Sequence, residues 1–541
     1  MRKLKILLGL SMSLLAFNAT AQMNPKAKLQ DALKLIQDNY VDPINDETVV
    51  DAAIKAMLGS LDPHSSYISR EEVEAMNESI TGNFAGIGIQ FTMVADSTFI
   101  IGINADGPAA KAGLKVGDQI TKVDGQSIFG KNLKNQEVMR MLRGEKGKAV
   151  NIEIVRKLQS TPINVSVVRA ALVDLSINNS YMVTKNIGYI GLSIFSQSTR
   201  REMDAALKAL KAQGMTKLIL DLQSNGGGMV DAAIGVADEF LPTEKTVFYS
   251  VTNTGVRDYF MTGGYGVFNQ GDLVVLINEA TASSSEILTG ALQDWDRAVI
   301  VGRRSFGKGL MQKGLTLSDG SVIRLTAARY YTPSERSIQK SYAKGKTDYF
   351  EDFNRRLASG ELTESGHYQF PDSLKHTTLV NKRTVYGGGG IMPDKFVPID
   401  TALYSPWLNS IMNIGLVSKS AFNYVQQQRE TLNSKFADFE TFDKGFTVSG
   451  EVIDQVFEQA KSRKIATPSN TDQVARKTIA VEIKAAIADM LYVGKGYSLR
   501  IRNEASAEFE TALKILNSPS EYQRLLGKST KQNTQKSKTK K

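Results

Sequence analysis

The sequence predicts an α+β protein of several domains, in which helical regions at both ends flank two units that contain strands. Three observations support this fold class. Apolar residues recur with a helical period near both ends, short β-branched runs with glycine turns follow the first helices, and buried strands alternate with helices in the middle. With 541 residues, the chain is long enough for about three or four domains.

The two ends of the chain are predicted to lie outside the folded body. Basic residues precede an apolar run from Ile6 to Phe17, and an A-x-A cleavage site ends at Ala21. This pattern is typical of a secretory signal peptide over residues 1–21, and the run is too short to span a membrane. Residues 528–541 are polar and rich in lysine, so we expect a disordered basic tail.

The net charge of +10 comes almost entirely from these ends. Three of the charges lie in the signal and six in the tail, which leaves +1 for residues 22–527. A nearly neutral body argues against a nucleic-acid partner. The chain has no cysteine, which suits an oxidising compartment.

Residues 22–83 are predicted to be a helical region. Apolar residues from Leu29 to Tyr40 share one helical face, and a second helix is predicted from Glu47 to Leu61. His64 follows, one of only three histidines in the chain. We interpret His64 as structural, because no histidine lies in a motif that suggests a Ser-His-Asp triad.

Residues 84–170 are predicted to be a small β-rich domain. The run A-G-L-K-V-G-D-Q-I, followed by V-D-G, resembles a PDZ domain. In such a domain, a loop with glycine presents backbone N–H groups to a terminal carboxylate, and the bound peptide adds as a strand. The predicted peptide-binding residues are Gly86, Ile87, Gly88 and Ile89. The alternative is a β-domain that only packs against its neighbour.

Residues 171–400 are predicted to be an α/β core. Two buried strands flank an amphipathic helix, and the second of them leads into the turn Gln223–Gly228. Glycine allows backbone N–H groups to approach a ligand closely. A phosphate cradle is one interpretation of this turn, but it contains no lysine.

Two further strands of this core carry a serine cluster and a lysine. An apolar run from Leu273 to Ile277 leads to Ser283 and a helix, and a run ending at Val301 leads to a glycine-rich loop with Lys308. In a parallel sheet both loops open at the carboxyl edge, where α/β proteins place their sites. A neutral lysine can take the proton of a serine, which makes the serine a nucleophile.

Two other interpretations of this stretch remain open from spacing alone. Gly302–Lys308 matches the P-loop pattern, but Gly309 follows where Mg²⁺ binding needs Ser or Thr. Ser283 and Glu286 also fit a capping box, in which the serine is simply a helix N-cap.

The stretch T-A-S-S-S-E-I-L-T-G-A-L-Q-D, with D-R-A-V-I-V-G-R-R-S-F-G-K-G-L-M-Q after it, resembles the active-site region of the C-terminal processing peptidases, or tail-specific proteases. The resemblance implies a peptidase core with the sheet-and-helix layers of crotonase and ClpP-like folds. It implies Ser283 as nucleophile, Lys308 as general base and Gln312 as the residue that orients the lysine. The second motif serine, Ser284, stands where the family commonly has alanine.

The turn at 221–228 resembles the family's D-L-R-x-N-P-G-G segment. The resemblance implies an oxyanion hole from the N–H of Gly227 or Gly228 together with that of Ser284. Gln223 replaces the family's usual arginine, and Gly226 replaces its proline.

Two segments outside these motifs are less informative. Residues 340–383 are polar and charged and are predicted to be an insertion. Residues 401–527 are predicted to be a helical domain without a catalytic motif. Closing over the site, binding an adaptor and mediating homo-oligomer assembly are the roles open to it.

These observations together predict an exported serine endopeptidase that cleaves proteins near their C-termini through a Ser/Lys dyad. Its partners are protein or peptide substrates with free C-termini, and the resemblance implies no metal or organic cofactor. The expected location is the periplasm of a Gram-negative bacterium, and a position peripheral to a membrane is the variant of this expectation. The alternative function is a non-catalytic PDZ scaffold that binds C-termini.

Overall fold

The computed structural model of the protein describes residues 24–73, 83–94, 97–104, 106–131, 133–156, 161–173, 175–401, 406–466 and 472–528. The predicted signal peptide and all of the predicted basic tail after Lys528 lie outside these residues. Among the helices of the described residues, none is long and apolar enough to cross a membrane.

The N-terminal region contains helix α1 (Pro25–Asn39), helix α2 (Asp46–Gly59) and strand β1 (Ser66–Ile68). Asparagine side chains cap both helices by accepting backbone N–H groups of the first turn. The apolar face predicted for α1 is largely uncovered, since Leu29 is 50% exposed. Strand β1 leaves this region and pairs antiparallel with a strand of the core.

The β-rich domain follows, and its described residues form eight strands and two helices. They are β2 (Asn83–Gly86), β3 (Ile89–Val94), β4 (Ser97–Ile103), α3 (Pro108–Lys111), β5 (Gln119–Val123), β6 (Gln126–Ser127), α4 (Asn135–Leu142), β7 (Ala149–Val155), β8 (Ile163–Val168) and β9 (Ala170–Val173). The main sheet has the order β3-β4-β5-β7-β8, with β6 paired to β5. Among the described residues β3 therefore forms one edge of this sheet.

The core and its insertion contain the next elements. They are β10 (Ile177–Met182), β11 (Ile187–Leu192), α5 (Thr199–Ala212), β12 (Lys217–Asp221), α6 (Val230–Phe240), β13 (Thr246–Thr252), β14 (Arg257–Met261), β15 (Asp272–Ile277), α7 (Ser284–Asp294), β16 (Val299–Gly302), β17 (Leu310–Thr316), β18 (Val322–Tyr331), α8 (Lys346–Phe350), α9 (Asp352–Ala358), a 3₁₀ turn (Asp372–Leu374), β19 (Lys375–Thr377), β20 (Thr384–Tyr386) and β21 (Lys395–Phe396).

Two sheets organise this core. A six-stranded sheet has the order β10-β11-β12-β15-β16-β21, parallel except at β10. The second sheet has the order β1-β18-β13-β14, with β17 also paired to β18. Because β12, β15 and β16 are parallel neighbours, the loops after them meet at one edge of the first sheet, as the sequence predicts.

The C-terminal region contains eight helices in the described residues. They are α10 (Pro406–Asn413), α11 (Leu416–Lys435), α12 (Phe439–Gly445), α13 (Gly450–Ser462), α14 (Gln473–Leu491), α15 (Tyr497–Glu504), α16 (Ala507–Asn517) and α17 (Pro519–Leu525). The predicted α+β fold with helical end regions is thereby confirmed.

These helices are divided between two hydrophobic cores. Helices α10 to α15 form a bundle that also packs on β4, where Phe99 meets Phe422 with ring centroids 4.7 Å apart. Helices α16 and α17 instead cover the six-stranded sheet on the face opposite α5, α6 and α7. The Tyr522 hydroxyl in α17 accepts the N–H of Leu273 at 2.9 Å. The region thus completes the core and holds the β-rich domain.

Candidate active site

Ser283 lies between β15 and α7 in a backbone conformation that non-glycine residues rarely adopt. Its φ is 58° and its ψ is −119°. Such a conformation costs about 1–3 kcal/mol and persists only where the surroundings enforce it. Neighbouring bonds do so here, since the N–H of Ala282 donates to the carbonyl of Asn225 at 3.0 Å and the Thr281 hydroxyl donates to that of Leu222 at 2.8 Å.

The Glu286 carboxylate connects the Ser283 segment to the Lys308 loop. It is fully buried and accepts the N–H of Ser283 at 2.9 Å, of Gly307 at 2.7 Å and of Lys308 at 2.9 Å, and also the hydroxyl of Ser305. Burial raises the pKa of Glu286, while these hydrogen bonds oppose the shift. The S-x-x-E spacing correctly indicates the contact with Ser283, but nothing in the sequence indicated the contacts with the second loop.

Tyr330 in β18 joins the same two segments from the other sheet. Its buried hydroxyl lies 3.2 Å from the carbonyl oxygen of Ser283 and 2.6 Å from that of Lys308. Glu286 and Tyr330 together therefore hold both the N–H and the carbonyl groups of the two predicted catalytic residues.

The Lys308 amine is half-buried, and its environment shifts its pKa downwards, towards the neutral form. Burial lowers the pKa of Lys308, the cation of Arg324 lowers it further, and the carboxylates of Glu286 and Asp62 oppose the shift. No hydrogen bond within the described chain joins this amine to the Ser283 hydroxyl or the Gln312 amide. Catalytic hydrogen bonds often tighten only when substrate binds.

Gln312 lies in β17, next to an irregularity in the pairing of β17 with β18. The shift occurs between Met311 and Gln312 and places Gln312 opposite Thr326. Its amide lies 3.4 Å from the Thr326 hydroxyl and 3.4 Å from the carbonyl of Leu310. The predicted contact with Lys308 is not formed in this arrangement, and the orienting role of Gln312 stays a prediction.

The glycine turn passes directly beside Ser283. A side chain at Gly227 would come within 2.8 Å of the Ser283 Cβ, and one at Gly228 within 2.1 Å of the carbonyl oxygen of Phe195. Both glycines have positive φ, 101° and 140°. The turn therefore requires glycine at both positions, for space as well as for conformation.

The two glycines differ in their N–H groups. The N–H of Gly227 donates to the Asn225 side chain at 2.9 Å, so this donor is occupied. The N–H groups of Gly228 and Ser284 donate to no partner among the residues that the structure describes. The Ser284 hydroxyl donates to the carbonyl of Gly228 at 2.8 Å and ties these two donors together.

Asp221 lies at the end of β12, just before this turn. It accepts the Tyr189 hydroxyl at 2.8 Å and the N–H of Gln223 at 2.8 Å, and the Gln223 amide lies 3.4 Å away. Burial raises the pKa of Asp221 to about 6, although these hydrogen bonds oppose the shift. Gln223 offers this carboxylate a neutral amide where the resembled family has a cation.

The P-loop interpretation is not compatible with the structure. Lys308 is followed by strand β17 rather than by a helix. A P-loop needs a helix N-terminus at this point to receive the phosphate.

The predicted peptide-binding residues lie where β2 ends and β3 begins. Gly86 is the last residue of β2, Ile89 is the first of β3, and Gly88 has a φ of 75°. Ile87 is buried in the domain core, and its carbonyl accepts the N–H of Ala109. The N–H groups of Ile87 and Gly88 have no acceptor in the described part of the chain.

Four family models match the sequence. Peptidase family S41 matches residues 186–347, and a PDZ domain matches residues 85–167. The N-terminal domain of the activating protease CtpB matches residues 13–72, and a family of unknown function matches residues 407–494.

Several carboxy-terminal processing proteases are similar to the chain. The enzyme of Bartonella bacilliformis is 37% identical over 317 residues, 58% of this chain and 72% of that protein. CtpA of Bacillus subtilis is 33% identical over 318 residues, 59% of this chain and 67% of that protein. The structure of a photosystem II D1 C-terminal processing protease is 29% identical, covering 57% of this chain and 89% of that one with a TM-score of 0.34.

The chain belongs to the family of carboxy-terminal processing proteases, serine-type peptidases that here carry a PDZ domain. This membership confirms the predictions of a peptidase and of a PDZ domain. It argues against a non-catalytic scaffold.

Proposed function

We propose that this peptidase is an exported endopeptidase in which Ser283 is the nucleophile and Lys308 is the general base. One observation carries the proposal. The Glu286 carboxylate and the Tyr330 hydroxyl bind backbone groups of both residues, so two loops far apart in sequence are held as one unit. The lowered pKa of Lys308 supports its role, because only a neutral amine accepts a proton.

The reaction proceeds through an acyl-enzyme. The neutral Lys308 amine takes the proton of the Ser283 hydroxyl while the serine oxygen bonds to the peptide carbonyl carbon. As the tetrahedral intermediate collapses, the C–N bond breaks and the Lys308 ammonium returns its proton to the leaving amine. Water then attacks the ester, Lys308 takes the proton of that water, and the proton finally returns to Ser283 as the acid product leaves.

The N–H groups of Gly228 and Ser284 are the proposed donors to the oxyanion. Gly228 is preferred over Gly227 because the N–H of Gly227 is already bonded to Asn225. Donors fixed in advance stabilise the developing charge without reorganisation in the transition state. Gln312 is proposed to orient Lys308 once substrate closes the site.

The PDZ domain is proposed to capture the free C-terminus of the substrate. Strand β3 lies at the edge of its sheet, where a peptide can add as a further strand. The loop at Gly86, Ile87, Gly88 and Ile89 is the proposed carboxylate site, because the N–H groups of Ile87 and Gly88 have no acceptor among the described residues. Cleavage should therefore favour proteins with accessible chain ends.

The proposed location is the periplasm of a Gram-negative bacterium. The support is the pattern of residues 1–21, in which basic residues, an apolar run and an A-x-A site follow one another. Expressing the full chain with a C-terminal tag and locating the mature product by cell fractionation tests this proposal. A cytoplasmic product that retains residues 1–21 would contradict it.

The proposed function is tested with one unstructured peptide in two forms, with a free and an amidated C-terminus. We expect cleavage of both, with the lower KM for the free form. The Ser283→Ala variant should cleave neither. Cleavage of both forms with equal kcat and KM would contradict capture of the C-terminus by the PDZ domain. It would not contradict the roles of Ser283 and Lys308.

A further inference from the structure

The segment 339–361, most of which belongs to the predicted insertion at 340–383, folds over the loop that carries Lys308. The N–H of Gly309 donates to the Gln339 side chain at 2.8 Å, and the N–H of Lys340 donates to the carbonyl of Gly307 at 2.9 Å. Further along the segment, the Arg356 guanidinium donates to the carbonyl of Arg304 at 2.7 Å. The insertion thus binds the backbone on both sides of Lys308.

Tyr349 in α8 belongs to this segment and is 1% exposed. Its ring packs edge-on against Phe306 at 5.6 Å and against His64 at 5.2 Å between centroids. Its hydroxyl lies 2.9 Å from Nε2 of His64 and accepts the amide of Gln339 at 3.3 Å. One tyrosine therefore joins the N-terminal region, the Lys308 loop and the insertion.

His64 is held in place independently of Tyr349. The Asp62 carboxylate accepts the N–H of His64 at 2.8 Å and that of Ser65 at 2.9 Å. The Ser65 hydroxyl in turn accepts the N–H of Thr326 in β18 at 3.1 Å. This short segment is therefore fixed to the sheet that also carries Gln312.

The hydrogen-bond arrangement accommodates a neutral imidazole. The Tyr349 hydroxyl accepts the amide of Gln339 and keeps its own hydrogen, which it can donate to Nε2 of His64 when the ring proton is on Nδ1. Burial first, and then the charge of Lys308, lower the pKa of His64 to about 4.

We propose that Tyr349 is a positioning residue for the peptidase reaction, a clasp that closes His64 and Gln339 over the Lys308 loop and keeps water from the amine. The inference rests on the proposed role of Lys308 as the base. It assigns to the insertion a part in catalysis through Lys308, although Tyr349 itself does not contact the reacting atoms.

The groups that act on Lys308 come from every element around it. Glu286 of α7 and Asp62 favour its charged form, and Arg324 of β18 favours the neutral form. His64, Lys340 and Asp352 stand in the same cluster, where Lys340 pairs with Asp352 at 3.2 Å and lies over the Phe306 ring. If the clasp opens, water stabilises the ammonium and screens Arg324, so the pKa of Lys308 rises.

The test compares Tyr349→Phe with Tyr342→Phe. Both changes remove one hydroxyl from the same segment, but the Tyr342 hydroxyl lies 3.4 Å from Arg329 and not at His64. We expect the pH midpoint of kcat/KM to rise by about one unit in Tyr349→Phe, which lowers kcat/KM about tenfold at pH values below both midpoints. Activity at high pH should be nearly restored, and Tyr342→Phe should keep the wild-type midpoint.

A second pair of variants distinguishes a shift in the pKa of Lys308 from a general loss of stability. His64→Gln keeps an acceptor for the Tyr349 hydroxyl, and His64→Leu removes it. We expect the midpoint to rise in His64→Leu and to stay near wild type in His64→Gln. A lower Tm in both Tyr349→Phe and His64→Leu, with neither the midpoint of kcat/KM nor the pKa of Lys308 itself moved, would overturn the inference, since the clasp would then be only structural.

A measurement without catalysis separates this inference from the proposed function. In the Ser283→Ala background, the pH dependence of amine labelling at Lys308, read by mass spectrometry, reports its pKa directly. A rise on adding Tyr349→Phe supports the clasp, and no rise overturns it. A labelling midpoint that moves while the pH profile of kcat/KM does not would leave the clasp in place and contradict Lys308 as the base.

Discussion

Among the described residues, backbone N–H groups without a partner lie in two different settings in the peptidase core and in the PDZ domain. In the core, the donors of Gly228 and Ser284 lie on segments that hydrogen bonds of the buried Ser284 and Glu286 side chains hold in place. In the PDZ domain, those of Ile87 and Gly88 lie beside β3, which forms an edge of its sheet in the described part of the chain. A fixed donor suits charge that develops in a transition state, whereas an open edge suits a strand that comes and goes. Changes in the core should therefore act on rate, and changes in the PDZ loop on selection.

The largest effect is expected from Ser283→Ala. Loss of the nucleophile should lower kcat by at least about 10³-fold. A lost N-cap costs only about 1 kcal/mol, so the variant should melt close to the wild type. Peptide cleavage and thermal unfolding are measured on the same preparation. A variant that keeps its Tm and cleaves at the wild-type rate would show that another residue attacks the peptide.

The next largest effect is expected from Lys308→Arg. A base works in its deprotonated form, so wild-type kcat/KM should rise with pH through the lowered pKa of Lys308. Guanidinium does not deprotonate in this range. The kcat/KM of the variant should therefore be lower than that of the wild type by about 10³-fold at every pH. The measurement is kcat/KM against pH for both proteins on one peptide. An active arginine variant with an unchanged profile would assign the base to another group.

Glu286→Gln tests how rigidly the core holds its two loops. The amide has one acceptor oxygen where the carboxylate has two, so at least one buried donor loses its partner. We expect a loss of roughly 2–5 kcal/mol in the free energy of unfolding and a fall in kcat of about 10- to 100-fold. The matched control is Glu279→Gln, which breaks the buried pair with Arg303 but leaves Ser283 and Lys308 bound. Equal effects on kcat in both variants would contradict a specific role of Glu286.

Gln223→Arg tests the effect of a cation beside Asp221, at the start of the turn that carries Gly228. The pKa of Asp221 is raised to about 6, so the folded protein binds this proton more tightly than the unfolded chain, and stability is lost as pH rises from about 4 through 6. A guanidinium beside Asp221 should lower that pKa and restore about 1–2 kcal/mol at pH 7. Unfolding at pH 4.5 and at pH 7 measures this, with Gln223→Met as the neutral control. A gain of the same size at both pH values would exclude charge pairing as its cause.

Periodicity and motif spacing predicted a large part of this molecule. The helical ends and the parallel strands that bring Ser283 and Lys308 to one edge follow from apolar patterns in the sequence, and the PDZ domain follows from the resemblance of its motif run. These features depend on local sequence, or on a rule that applies to every parallel sheet.

Contacts between distant segments were not predictable in this way. The three donors to Glu286 from the Lys308 loop, the link from Tyr349 to His64 and the covering of the sheet by α16 and α17 depend on packing between separate segments of the chain. The insertion at 340–383 carries no motif, so its contacts with the Lys308 loop left no signal. For Gln312, a local shift in strand pairing decides the position, and periodicity does not indicate such shifts.

The smallest effect is expected from Gly88→Ala in the PDZ loop. Gly88 has a φ of 75°, where a Cβ costs about 1–2 kcal/mol, so the loop should tilt away from its present path. The N–H groups of Ile87 and Gly88 would then bind a terminal carboxylate more weakly. We expect a rise in KM of about 3- to 10-fold for a peptide with a free C-terminus, with kcat unchanged. The amidated peptide serves as the internal control, and its KM should not change.

The control variant is Gly125→Ala, which places the same strain in another turn of the domain, where Gly125 has a φ of 80°. If both glycine variants raised KM for both peptides, the loop would be acting through the stability of the domain, and the contrast between a fixed core site and an open capture site would fail.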